Sequence, residues 1–89
     1  MEEREIEVAE VEDFFAHVGV VALKVTNDTI RVGDVLHFKG HTTDFVQEVS
    51  SMQINHQDVK EAKVGDEVGI KVNDRVRKHD KVYKVISQG

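Results

Sequence analysis

Apolar and polar residues alternate along most of this chain with a period of two. That is the period of a strand with one face buried, not the 3.6 of a helix. Ile6 and Val8 alternate with acids. Val18–Val25, VGVVALKV, is β-branched and apolar on both faces, as a central strand would be. Thr26–Thr29 reads as a turn, because Asn and Asp tolerate left-handed backbone and bond their own main chain. Val35–Lys39 is a strand, and Gly40–Thr43 turns the chain. Asp44–Ile54 reads as one long strand with a bulge, since its apolar phase slips between Val49 and Met52. Asn55–Ala62 is polar and predicts a turn or one short helical turn. Val68, Ile70 and Val72 alternate strictly within Glu67–Val72, and Lys81–Ile86 closes the chain. This spacing of about six short strands predicts an all-β fold, a small barrel or sandwich. Closure would remove the exposed edges that invite aggregation.

The tripeptide Val-Gly-Asp occurs twice, at residues 32–34 and 64–66, each time just before an apolar run. Gly33 and Gly65 can supply the positive φ of a tight turn. Asp34 and Asp66 can accept hydrogen bonds from amides the turn leaves free. A weaker third copy is RKHDKVYKV, Arg77–Val85, where Asp80 again precedes an alternating strand and His79 replaces the glycine. The separations, 32 and then 14 residues, are too unequal for a regular repeat, so three turns leading into strands explain the pattern. A phosphate-binding loop is excluded, because neither the glycine spacing nor the following Lys-Ser/Thr and helix is present.

Eighty-nine residues predict one domain with a small core. The chain has no cysteine, which rules out disulfides, redox pairs and thiolate metal sites and fits a cytoplasmic location. No apolar stretch is long enough for a transmembrane helix, and the acidic start lacks the features of a signal peptide, so no membrane association is expected. The net charge of −5 is unevenly placed. Residues 1–13 carry seven acids and one base, and the remainder eleven bases and ten acids. Residues 1–5 are accordingly set apart as an acidic leader, whose order the sequence leaves open, from a single domain over residues 6–89. The one local excess of positive charge is Lys71, Arg75, Arg77, Lys78, Lys81 and Lys84, opposed there only by Asp74 and Asp80. A solvated hairpin face explains it as well as a nucleic-acid contact does.

The run Ser51–Val72, SMQINHQDVKEAKVGDEVGIKV, resembles the second domain of translational GTPases such as elongation factor Tu, elongation factor one alpha and the selenocysteine-specific factors. Ser51, His56, Glu61, Ala62, Gly65, Asp66, Val68 and Gly69 carry the resemblance. VEDFF (Val11–Phe15) and GVVALKVTNDTIRVGDVL (Gly19–Leu36) extend it, and the match runs from about Ile6 to Val85. The same segment also resembles the tail module of some collagenase-like peptidase family proteins, whose relatives act in RNA modification. The elongation-factor resemblance implies a small closed antiparallel translation-protein β-barrel of six to seven strands without its GTPase domain, whose nucleotide motifs are missing here. It implies a binding surface of Glu12, Phe15, Gln53, His56 and Glu67. Gln53 stands where that family has a glutamate, and Glu67 where it has an asparagine.

Other chemistry finds little support. His37 and His41 are four apart, a metal spacing on a helix but not on HFKGH, which reads as strand and turn; both are expected to face solvent. Ser50, Ser51 and Ser87 lack a nucleophile context, and paired carboxylates arise by chance in so acidic a chain. Phe14 and Phe15 are adjacent, so an extended backbone turns one inward and the other outward. The expectation is a non-enzymatic module without metal or nucleotide cofactor that contacts tRNA, ribosomal RNA or an RNA-linked protein. The alternative is a protein–protein interaction or scaffold domain with no RNA role.

Overall fold

The computed structural model describes residues 2–88 and is all-β, with no helix among them. Ten strands follow one another: β1 (Glu2–Phe15), β2 (Val20–Val25), β3 (Ile30–Arg31), β4 (Val35–Lys39), β5 (Asp44–Glu48), β6 (Met52–Ile54), β7 (Gln57–Val59), β8 (Glu61–Ala62), β9 (Glu67–Lys71) and β10 (Lys81–Gln88). Eight form one antiparallel sheet in the order β5-β4-β10-β1-β2-β9-β6-β7, and β3 pairs with β8 in a small ribbon. Residues 2–5, set apart above as a leader, lie in β1 and pair with the end of β10; Met1 lies outside the described residues.

A closed barrel of six to seven strands is not found. The sheet ends at β5 and β7, and among the described residues no ladder joins them. Instead the chain leaves β5 at one end of the sheet and, three residues later, becomes β6 near the other end. So short a link forces the sheet to curl sharply. The Gln47 side chain bridges the remaining gap: its amide donates to the Lys71 carbonyl at 2.8 Å and its oxygen accepts from Asn73 N–H at 2.8 Å. The inner face carries one continuous core, including Val8, Val11, Leu23, Ile30, Leu36, Phe38, Met52, Ile70 and Val82. Phe38 and Phe45, opposed across β4 and β5, stack with ring centroids 4.9 Å apart.

Three turns share one geometry. In Arg31–Asp34, Lys63–Asp66 and Arg77–Asp80 the aspartate N–H donates to the carbonyl of the first residue. The aspartate carboxylate in turn accepts from that residue's N–H, at 2.8, 2.8 and 2.9 Å. The third residue has positive φ: 98° at Gly33, 97° at Gly65 and 73° at His79. These are type II turns. Each then docks on a buried valine. Gly33, Gly65 and His79 donate to the carbonyls of Val49, Val25 and Val11, and those valines donate back to Asp34, Asp66 and Asp80. Apolar residues flank every turn in the same positions: Ile30 and Leu36, Ala62 and Val68, Val76 and Val82, all buried.

Two predicted elements are corrected. The long strand Asp44–Ile54 is broken into β5 and β6, because both backbone groups of Val49 are taken by the first turn and not by a neighbouring strand. The polar stretch after it holds no helical turn. It forms the β6–β7 hairpin, in which Ile54 pairs with Gln57 across Asn55 and His56. Both loop residues have positive φ, 51° and 64°, the signature of a type I′ turn. The bulges fall in β1, one between Glu7 and Ala9 and one between Val11 and Asp13. The second moves the inward phase from Val11 to Phe14, which packs on the core, and leaves Phe15 outside.

Gly65→Ala keeps its space, since no atom lies within 4 Å of the added carbon, but strains a φ of +97°. It should cost roughly 1–2 kcal/mol in chemical denaturation. Gly40→Ala should cost more, because its Cβ would sit 2.0 Å from an oxygen of the buried Asp80 carboxylate that holds the third turn.

Candidate functional site

The outer face of β9 alternates with the core: Val68 and Ile70 point inward, while Glu67, Gly69 and Lys71 face out. Gly69 lies opposite Ala22 on β2 and Gln53 on β6. Two small residues side by side leave a depression in the sheet surface. Val20, Phe15 and Val18 wall it on one side, and Gln53, Asn55 and His56 on the other. The resulting groove has a volume of about 450 Å³. Phe15 is 43% exposed and Val18 50%, so its apolar wall is open to solvent.

Four of the predicted site residues, Phe15, Gln53, His56 and Glu67, therefore line one groove, while Glu12 lies next to Glu67 and lines a neighbouring depression with Lys24 and His79. The Glu67 carboxyl beside it is the main cause that raises the pKa of Glu12; burial adds to the rise, and Lys24 opposes it. His56 reaches its place through left-handed backbone at a cost of roughly 1 kcal/mol, at a hairpin position where glycine is the usual residue. Ala22, Gly69, Val18 and Val20 were missed as site residues. The available signal was Gly69 itself, a glycine inside an otherwise alternating strand.

The basic cluster does not form a strip. Lys84 is only 12% exposed, donates to the Thr29 carbonyl at 2.5 Å and lies 3.4 Å from Asp34 and 3.7 Å from Asp28. Lys81 lies 3.3 Å from Glu10 and 3.9 Å from Glu7. Arg75 and Arg77 line a separate polar pocket with Asp44 and Asp74, while Lys71 stands on the outer face of β9. Lys78 is exposed at the third turn.

His37 is not a solvent-facing histidine. Its side chain is 13% exposed and lies between Glu5 Oε2, 2.8 Å from Nδ1, and Asp44 Oδ1, 2.5 Å from Nε2. It thereby joins β1, β4 and the sheet-end strand β5. His41 lies exposed beyond the end of β4. Among the described residues no group of three His, Cys, Asp or Glu could hold a metal ion, and no helix is long and apolar enough to cross a membrane.

No protein-family model matches the chain. Over 81 residues, 90% of its length, it is 44% identical to an uncharacterised protease of Methanocaldococcus jannaschii. Over 72 residues it is 29% identical to a collagenase of Porphyromonas gingivalis. The chain spans only about a fifth of the length of these curated relatives. Among solved structures it superposes on the C-terminal domain of a Geobacillus thermoleovorans protein described as a U32 peptidase. The TM-score is 0.82 at 17% identity, covering 88% of this chain and 90% of that one. The selenomethionine variant of the same domain gives 0.81 at 16% identity, over 86% and 96%.

These findings overturn the kinship with the second domain of elongation factor Tu: the similarity runs to a protease, a collagenase and, in fold, the C-terminal domain of a U32 peptidase. They remove the translation-factor and RNA-binding reading, and the scaffold alternative gains nothing from them. The expectation of a non-enzymatic module falls as well, since the relatives, of which this chain spans about a fifth, are named protease and collagenase. The second resemblance, to the tail module of collagenase-like peptidase family proteins, is the one these relatives match.

The His37 clasp makes a pH prediction. The Asp44 hydrogen bond, helped by Glu5 and opposed by burial, raises His37 above its ordinary 6.5, so its stabilisation is full below that value and lost as pH rises through the raised one. Asp44 is lowered from 3.8 by His37, so its share is present above that value and lost as pH falls through the lowered one. The stability difference between the wild type and Asp44→Asn should therefore be larger at pH 6 than at pH 9. In an NMR titration Asp44→Asn should lower the His37 midpoint.

Proposed function

We propose that this chain serves as the terminal β domain of a U32 peptidase-like protein and presents polypeptide to a catalytic region. The carrying observation is the 44% identity over 81 residues to a fifth-length segment of a protease. The TM-score of 0.82 to a domain that is C-terminal in its own protein supports the placement. Hydrolysis of a peptide bond needs a nucleophile or activated water, a proton relay and a stabilised oxyanion. In this proposal those groups belong to the four-fifths of the relatives that the chain does not span. The chain supplies the exposed apolar groove beside Phe15 and Val18, a surface suited to an unfolded segment. A cytoplasmic setting is part of the same proposal.

The test uses the Methanocaldococcus relative with an unfolded protein such as gelatin as substrate. Excising the matching segment should lower kcat/KM by about tenfold or more, the loss of one good binding contact. Replacing the segment with this chain should restore it. Unchanged turnover after excision, or a folded chimera that regains nothing, overturns the proposal.

A further inference from the structure

The groove is more selective than an apolar patch. Gly69 forms its floor without being required by the fold. Its φ is not in the left-handed region, and an added Cβ would meet only Val20 Cγ1 at 3.6 Å and the Gln53 carbonyl at 3.8 Å, ordinary contacts. A glycine inside a strand weakens it, and one that packing does not demand marks the close approach of something else. Two residues away on the same face stands Glu67 with its partner Glu12. Lys24, the β2 partner of Glu67, offsets only part of that charge, and Glu10 is engaged by His79 and Lys81. The groove thus pairs an apolar floor with a net negative end. Their spacing is two strand residues, about 6.6 Å.

We propose that this groove binds an extended, unfolded polypeptide segment carrying an apolar side chain and a Lys or Arg two positions apart. The apolar side chain sits over Gly69 and Ala22 between Phe15 and His56, and the cation meets Glu67 and Glu12. In an extended peptide residues two apart point to the same side at the spacing of Gly69 and Glu67, whereas adjacent residues point to opposite sides. The volume of about 450 Å³ suits one or two side chains, not a folded surface. The inference rests on the reading that the chain handles polypeptide for a peptidase-like protein, and it names what that polypeptide carries.

The test is an NMR titration of the whole chain with capped seven-residue alanine peptides. One carries Leu and Lys two positions apart. Three controls place them adjacent, change Lys to Glu, or change Leu to Ala. The first peptide should shift the amides of Phe15, Val18, Gln53, His56, Glu67 and Gly69. Removing Leu should weaken binding about tenfold or more, and reversing the charge about fivefold, an effect that fades with salt. Gly69→Val should block binding, and Glu67→Gln should abolish the preference for Lys over Glu while keeping that for Leu. If Gly69→Val does not fold, Gly69→Ala, for which the structure has room, takes its place and should weaken binding. No shifts at millimolar peptide, shifts confined to another face, or equal affinity for all four peptides overturns the inference. Should excision impair the relative while no peptide binds here, the groove proposal falls alone. Should peptides bind as described while excision is harmless, the groove stands and the peptidase reading falls.

Discussion

The fold depends on one repeated interaction, the docking of an aspartate-closed turn on the backbone of a buried valine. Each dock consists of two main-chain hydrogen bonds, Gly33 and Asp34 to Val49, Gly65 and Asp66 to Val25, His79 and Asp80 to Val11. Because the valines lie in the core, these polar groups would otherwise be buried without partners, at a cost of about 1–3 kcal/mol each. The docks also fix where the strands meet. The turn on Val25 sets the start of β9 against the end of β2, and the turn on Val11 sets the start of β10 against the middle of β1. The turn on Val49 occupies the three-residue link that bends the sheet. A chain without disulfides is thereby held at three separated points by backbone alone.

The docks lead to the groove in a few physical steps. Val11 is pinned by His79 and Asp80, and the bulge at Glu12 follows at once. The bulge shifts the alternation, so Phe14 rather than Phe15 turns inward. Phe15 is left on the outer face beside Val20, its partner in register. On that face Ala22 and Gly69 then stand next to each other, and the same register brings Gln53 across from Gly69. The hydrophobic side of the sheet is spent on the core, and what remains for recognition is this outer depression.

How much of this is legible in the sequence depends on the range of the interaction. Val35–Lys39 and the alternation of Val68 and Ile70 are local, and β4 and β9 follow from them. The Val-Gly-Asp turns are local as well, since Gly33 and Gly65 need positive φ whatever they dock on. What they dock on is not local, so the break at Val49 reads as a bulge in a longer strand. The β1 bulges fall at Val8 and Glu12, residue types that carry no bulge signal. The β6–β7 hairpin is hidden because Asn55 and His56 make its turn without glycine. The basic residues between 71 and 84 are close in sequence, but the acids that neutralise Lys81 and Lys84 come from positions 7, 10, 28 and 34.

The distinction between turn residues and groove residues bears on what a resemblance can convey. The aspartate that closes each docked turn, with apolar residues flanking it, serves the turn itself, whatever the domain binds. Gly65, Asp66 and Val68, which carry much of the similarity to translation factors, are residues of that kind. They report architecture, and fold alone does not assign function. The solved domain shares the fold over 90% of its length at 17% identity, so the architecture tolerates replacement of most side chains. Against that background, 44% identity over 81 residues stands well above the 17% at which the fold is kept. With the inner face used by the core, outward-facing residues such as Phe15, His56, Glu67 and Gly69 are the ones left to meet a partner.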